Sequence, residues 1–272
     1  MLHLIGIGYK KEDITIEQKE IIKNSQKVFL EYYTSFYQDS VEQLNEYLNK
    51  EITVSDRDLI ENKIEEEIIN PAKEKDVALL IMGDPLIATT HTDLFLRAKE
   101  MGVETKVYHN ISIGNLITQT GLQFYKLGKI TSIPFFNQSF MPRTPFMIFH
   151  DNYKMGAHSL FLLDLNPAGD DAYKSSQEYL YSYQALEFLL KIPKIMLEQE
   201  ELEEKDAQVI DETTTAVICS KLGFKDQKIV AGSIEKLIEY DKENLLEPPI
   251  CIVIPGDLHD MEYEYLQKFM ID

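Results

Sequence analysis

Four glycine-bearing or polar segments stand directly behind apolar runs in this 272-residue chain: Gly6-Ile7-Gly8, Gly83-Asp84-Pro85, the stretch HNIS ending at Ser112, and Asp164. In open α/β sheets ligands settle at the carboxyl ends of strands. Glycines that admit a close backbone, a carboxylate and a rigid proline therefore describe a binding edge there. The same pattern also serves turns that only fold the chain. Signatures of chemistry done by the protein's own groups are missing. The sequence has no GxSxG elbow, no Walker loop, no HExxH, and no Cys set beside a His by a local signature. Its six histidines, His91, His109 and His158 among them, lack metal-ligand spacing, so no metal is expected. The Gly6-Ile7-Gly8 turn lacks the third glycine of a dinucleotide fingerprint, Lys11 standing in its place. What remains is the layout of a cleft for a sizeable ligand whose own group reacts.

The elements that must hold these segments can be read in order. Residues 77–82 (VALLIM) are an unbroken apolar run closed by Gly83, the mark of a parallel strand covered on both faces. Thr90 with Asp93 resembles a capping box, and Leu94, Ala98 and Met101 recur at helical spacing behind it. Upstream, residues 2–7 and 28–33 read as strands. Thr15 with Gln18 caps a helix between them, and residues 41–48 form a second helix. Residues 52–54 form a short strand, and Ser55-Asp56 opens a polar helix that runs to Pro71. Residues 103–109 are a further strand, and Ser112 caps a helix through Thr120. The first half thus has the βαβα rhythm of a parallel sheet.

Beyond it, residues 130–135 are a strand, and Pro134, Pro142 and Pro145 predict an irregular connection. Residues 158–165 (HSLFLLDL) are a buried strand, with His158 as a satisfied core histidine, and residues 166–176 read as a loop. Leu180, Tyr183, Leu186 and Leu190 share one helical face. Thr213 to Cys219 pairs with Lys228 to Ala231 across Leu222-Gly223-Phe224, and Ser233 caps a short helix. Ile250 to Ile254 is the last buried strand, with a terminal helix at residues 257–269. The expected division is two α/β domains, 1–111 and 112–272, the second more mixed in strand direction.

Acidic residues number 46 against 27 basic ones, for a net charge of −19, which opposes attraction to nucleic acid or anionic lipid. The acidic runs at residues 61–67 and 198–206 read as solvated faces or a linker. No apolar stretch approaches the roughly 18 residues of a membrane span, and Met1 leads straight into a short run ended by Gly6, so a cytoplasmic protein is expected. Cys219 and Cys251 lie in apolar segments and read as reduced core residues.

Taken together, MLHLIGIG at the start, GDPLIATTHTDL from Gly83, HNISI from His109, GLQFYKLG from Gly121 and HSLFLLDL from His158 resemble the diphthine synthase family. KLGFKDQKIVAG, EPPI and LHDMEYEYL extend the likeness. That family falls in the tetrapyrrole-methylase class of S-adenosylmethionine methyltransferases. The resemblance implies two α/β domains with S-adenosylmethionine folded in the cleft between them and S-adenosylhomocysteine as product. It assigns the cofactor contacts to Tyr9, Asp84, Ile87, Ser112, Ile113, Leu163, Leu222 and Ile250, many through backbone groups. Tyr9, Ile87 and Ile250 depart from the residues expected of relatives.

The resemblance also implies the substrate, a histidine of translation elongation factor 2 carrying a 3-amino-3-carboxypropyl group, and a homodimeric enzyme. GLQFYKLG and the acidic insert before Thr213 favour the eukaryotic-type activity, three methyl transfers to nitrogen and one to the carboxylate. No catalytic base is assigned, because a sulfonium methyl is already activated. The rival readings are a tetrapyrrole or RNA acceptor on the same fold, or a non-catalytic binding scaffold. Negative charge opposes RNA.

Overall fold

The computed structural model describes residues 1–32, 35–166 and 178–271. The expected loop at residues 167–176 and the end of the expected strand at Tyr33 lie outside them. The chain divides into two compact units, Met1–Leu116 and Ile117–Asp272, so the break comes within a helical segment past residue 111.

The first unit is built on β1 (Leu2–Gly6), β2 (Lys27–Glu31), β3 (Thr53–Ser55), β4 (Val77–Ile81) and β5 (Thr105–Tyr108). All pairings are parallel, in the order β3-β2-β4-β1-β5. Every residue of β1 and β4 is buried, which is why both read as continuous apolar runs without alternation. The pleat sends Leu79 and Ile81 to one face, against Ile64, Leu94 and Ala98. Ala78 and Leu80 go to the other, against Ile22, Leu44 and Leu48.

Thr15 and Gln18 make the expected reciprocal cap of the helix Ile16–Asn24. Two local expectations fail. The Thr90 hydroxyl makes no capping bond to the helix His91–Glu100; only the Thr90 carbonyl receives the Asp93 N–H, at 3.1 Å. The polar helix after Asp56 does not reach Pro71 in one piece. It runs Arg57–Asn62 and gives way to a π turn at Glu65–Ile69, which buries Ile68 and Ile69 under the sheet.

The second unit holds β6 (Thr131–Ile133), β7 (Ser159–Leu163), β8 (Thr215–Ser220), β9 (Lys228–Ser233) and β10 (Ile250–Ile254) in the order β6-β7-β10-β8-β9. Only β6 and β7 run parallel; β7–β10, β10–β8 and β8–β9 are antiparallel. Strand direction is mixed, and β8 and β9 form the expected hairpin. A helix at Thr144–Lys154 replaces the expected irregular connection. Pro145 sits in its first turn, where a missing N–H costs nothing, and Phe146 and Phe149 are buried against β7. The helix Ser182–Glu198 lays Leu186, Leu189 and Ile192 on the same core. Cys219 and Cys251 face each other as free, buried thiols across β8 and β10. Among the described residues, no helix is long and apolar enough to cross a membrane.

Candidate functional site

At the carboxyl edge of the first sheet, the turns after β1 and β4 lock together. The Gly8 N–H donates to the Gly83 carbonyl at 3.2 Å, and the Gly83 N–H donates to the Gly8 carbonyl at 2.8 Å. Both glycines have positive φ, 63° and 72°, which a side chain would strain. Gly6 is needed for a different reason: a Cβ there would stand 2.6 Å from the Gly83 oxygen. The Asp13 carboxylate accepts the N–H groups of Tyr9 and Lys10 at 3.0 and 3.2 Å and fixes the loop after Gly8. Behind it, the buried Tyr37 hydroxyl donates to the Ile7 carbonyl at 3.4 Å. Burial, with Asp39 and Asp13 nearby, pushes that phenol well above its ordinary range and keeps it a neutral donor.

Asp84 is 4% exposed, so its carboxylate is spent inside the protein. One oxygen accepts the Leu86 N–H at 2.9 Å; the other accepts the Asn110 N–H at 3.1 Å and faces His109 Nδ1 at 2.9 Å. This carboxylate ties the turn after β4 to the segment after β5. Asn110, in that segment, donates to the Gly6 carbonyl at 2.9 Å, the Asp13 carbonyl at 3.0 Å and Gln18 Oε1 at 3.2 Å. Gln18 Nε2 in turn donates to the carbonyls of Gly6 and His109. Sequence reading gave Gln18 only its capping role and left Asn110 unassigned. Asn110 was signalled only by its place just behind β5, and Gln18, in the first turn of the helix Ile16–Asn24, carried no signal beyond its cap.

The five expected residues of this unit therefore meet at one edge. Tyr9 follows the first glycine turn, Asp84 and Ile87 the second, and Ser112 and Ile113 open the turn of helix Ile113–Leu116. The Ser112 hydroxyl accepts the Gly114 N–H at 3.3 Å, which is the expected cap. Ile87 is 44% exposed.

In the second unit, Leu163 ends β7, Ile250 begins β10, and Leu222 lies in the turn that leaves β8. Because β10 runs against both neighbours, these three positions share one edge of the sheet. Ile250 stands opposite Ser220, and the Lys221 N–H donates to the Pro249 carbonyl at 2.8 Å. Asp164, just past Leu163, accepts the N–H groups of Phe135 and Leu165, both at 3.2 Å, and so braces that edge.

His158 is a satisfied core residue, as expected. It is fully buried between the Gly256 N–H, which donates to its Nδ1 at 2.9 Å, and Glu262, which Nε2 meets at 2.9 Å. Burial lowers its pKa below the ordinary imidazole value. Among the described residues no group of three or more His, Cys, Asp or Glu is placed to hold a metal ion.

A parallel α/β unit with interlocked glycine turns, followed by a mixed α/β unit, is the architecture of a tetrapyrrole-methylase-type methyltransferase. Residues 1–133 match the family model described as Tetrapyrrole (Corrin/Porphyrin) Methylases. The chain is 36% identical to the diphthine synthase of Methanococcus aeolicus, over 98% of its own length and 97% of the relative's. It is also 36% identical to the diphthine methyl ester synthase of Yarrowia lipolytica, over 100% of its length and 90% of the relative's. A crystal structure of diphthine synthase superposes with a TM-score of 0.82 at 28% identity, covering 99% of this chain and 96% of that one. The chain belongs to the diphthine synthase family and is a methyltransferase.

Proposed function

We propose that this chain transfers methyl groups from S-adenosylmethionine to the 3-amino-3-carboxypropyl-histidine of translation elongation factor 2 in diphthamide biosynthesis, giving diphthine methyl ester. The observation that carries this reading is identity of about 36% over nearly full length to relatives of that name. It implies three transfers to nitrogen and one to the carboxylate. The net charge of −19 supports a protein acceptor over RNA. The same reading makes the enzyme a cytoplasmic homodimer.

S-adenosylmethionine supplies a methyl group already activated on a sulfonium. The residues present fit such a group. A Cβ on Gly83 would lie 3.4 Å from the Tyr9 hydroxyl and 3.6 Å from the Ser112 Cβ, so the bare glycine leaves a cradle between those side chains. Exposed Leu86 and Ile87 offer apolar surface beside it. Tyr9, Asp84, Ile87, Ser112 and Ile113 of the first unit, and Leu163, Leu222 and Ile250 of the second, would hold the cofactor, with the Asp84 carboxylate acting through the loop it fixes. The chain's remaining task is to present the acceptor and exclude water. A carboxylate can accept a methyl as it stands, whereas an amine must first be free of its proton.

The test is incubation with S-adenosylmethionine and elongation factor 2 bearing the unmethylated precursor, followed by mass spectrometry of the modified-histidine peptide. Four added methyls, one lost in mild alkali, are expected. Three alkali-stable methyls would reduce the activity to diphthine formation, and no transfer with cofactor bound would overturn the reading. Light scattering tests the dimer.

A further inference from the structure

Four buried side-chain polar atoms among the described residues have no hydrogen-bond partner, and three of them share one corner of the first unit: Glu31 Oε1, Ser55 Oγ and His91 Nδ1. Glu31 and Ser55 end β2 and β3 and stand opposite each other in register. His91, the first residue of the helix His91–Glu100, contacts the other Glu31 oxygen through Nε2. Glu31 and Ser55 are fully buried and His91 is 5% exposed. Polar atoms so placed are costly unless something meets them.

A carboxylate only accepts hydrogen bonds, so the imidazole nitrogen facing Glu31 carries a proton, and in the neutral ring Nδ1 then keeps its lone pair. His91 also lines a cavity of about 130 Å³, together with Ile60, Ile64, Thr90, Leu94 and Arg97. Thr90 belongs to the turn that carries Asp84 and Ile87. The Arg97 guanidinium is paired with Asp93 at 2.7 Å and with Glu65 at 3.7 Å. Among the described residues, Asp93 and Arg97 are the charged side chains that line the cavity with His91, and Glu31 touches the imidazole.

We propose that this pocket receives the amine of the acceptor side chain and that His91 Nδ1, oriented by Glu31, removes its proton before each transfer to nitrogen. The proposal rests on the function given above. A primary ammonium brings N–H donors and a positive charge. Of the three unpartnered atoms only that of His91 belongs to a residue lining the cavity, while the buried Glu31 carboxylate touches the same ring and Ser55 stands opposite Glu31. In the step itself, one N–H bond of the ammonium breaks and its proton forms an N–H bond at Nδ1. The positive charge passes to the imidazolium beside Glu31, and the amine keeps the electron pair that accepts the methyl. Transfer to the carboxylate needs no such step.

His91→Gln tests this, because its amide can still donate to Glu31 while nothing replaces Nδ1. Ser55→Ala is read beside it. With precursor-bearing elongation factor at pH 7, formation of alkali-stable methyls is expected to fall more than a hundredfold in H91Q and several-fold in S55A. At pH 9 the solvent takes the proton and at least tenfold of the H91Q loss should return. Ester formation on separately prepared diphthine, and S-adenosylhomocysteine affinity by calorimetry, should stay within threefold of wild type.

Equal loss of N- and O-transfer without recovery at high pH, or no loss of N-transfer, would overturn the proposal and leave the pair a folding element. If H91Q does not fold, S55A decides alone: a several-fold loss confined to transfer to nitrogen supports the proposal, and an equal loss of N- and O-transfer, or none, overturns it. A wild-type enzyme that binds S-adenosylhomocysteine yet methylates no precursor would overturn the functional reading, and the amine pocket with it.

Discussion

The side-chain amide of Asn110 donates to the carbonyl oxygen of Gly6 at 2.9 Å, across 104 positions of sequence, and so joins the end of β1 to the segment behind β5. The same amide serves the Asp13 carbonyl and Gln18 Oε1, while Asn110 Oδ1 accepts the Ile111 N–H at 2.7 Å. Asn110→Ala should cost about 2–3 kcal/mol, two to three net hydrogen bonds. It should also weaken S-adenosylhomocysteine binding about tenfold. Asn110→Asp should be worse, since a carboxylate would face two carbonyl oxygens. Denaturant titration and calorimetry give both numbers, and equal stability of the two variants would refute this account of the junction.

Asp84 and His109 form an unequal pair. The aspartate is buried and holds two backbone N–H groups, whereas the histidine side chain is 67% exposed. Asp84→Ala should weaken cofactor binding tenfold or more, because the Leu86 and Asn110 N–H groups lose their acceptor, at about 1–3 kcal/mol each where buried. His109→Ala should change it less than threefold, since surface ion pairs contribute about 0–1 kcal/mol. Calorimetric titration with S-adenosylhomocysteine separates the two.

Two glycines make a matched experiment. A Cβ on Gly6 would collide with the Gly83 oxygen at 2.6 Å and Pro85 Cδ at 2.9 Å, and backbone cannot step aside cheaply. Gly102 has a φ of 72° but nothing within 4 Å of its Cβ position. Gly102→Ala should cost about 1–2 kcal/mol of left-handed strain, and Gly6→Ala about 3 kcal/mol from overpacking. Only the second should also abolish cofactor binding. Thermal unfolding compares the pair.

Local signals were legible in the sequence, and contacts between distant segments were not. Thr15 with Gln18, Ser112 and Ser233 announce helix starts because a cap needs only neighbours within three positions. The continuous apolar runs announce β1, β4 and β10 because both faces are covered. Pro142 and Pro145 hid the helix Thr144–Lys154: a proline breaks a helix interior but suits its first turn, and spacing alone does not say which position it holds. The π turn at Glu65–Ile69 is set by Ile68 and Ile69 reaching the sheet, a tertiary demand. The Glu31–His91 contact spans 60 positions, so Glu31 read only as part of a strand. The resemblance named the edge residues, while the side chains that hold the edge, Gln18 and Asn110, emerge only from the folded chain.

Acid should weaken the second unit through Glu262 and His158. Burial opposes ionisation of Glu262, yet the Lys126 ammonium, the Gln123 and His259 N–H groups and His158 outweigh it and draw the carboxyl down to about 2. Against an ordinary value of about 4.5, such a depressed acid adds stability that is fully present above pH 4.5 and is lost as pH falls toward 2, ~3 kcal/mol in all. His158 acts in the same direction at higher pH. Its Nδ1 accepts the Gly256 N–H, which only the neutral ring can do, and burial lowers its pKa. The unfolded chain therefore binds a proton near pH 6.5 that the folded one refuses, and stability declines below that pH until the folded ring titrates. Urea titrations from pH 7.5 to 3 should show stability falling in both ranges. Glu262→Gln should flatten the lower one while leaving the protein less stable at pH 7, where the Lys126 ammonium loses its carboxylate partner. A stability that stays level between pH 6.5 and 3 would contradict both assignments.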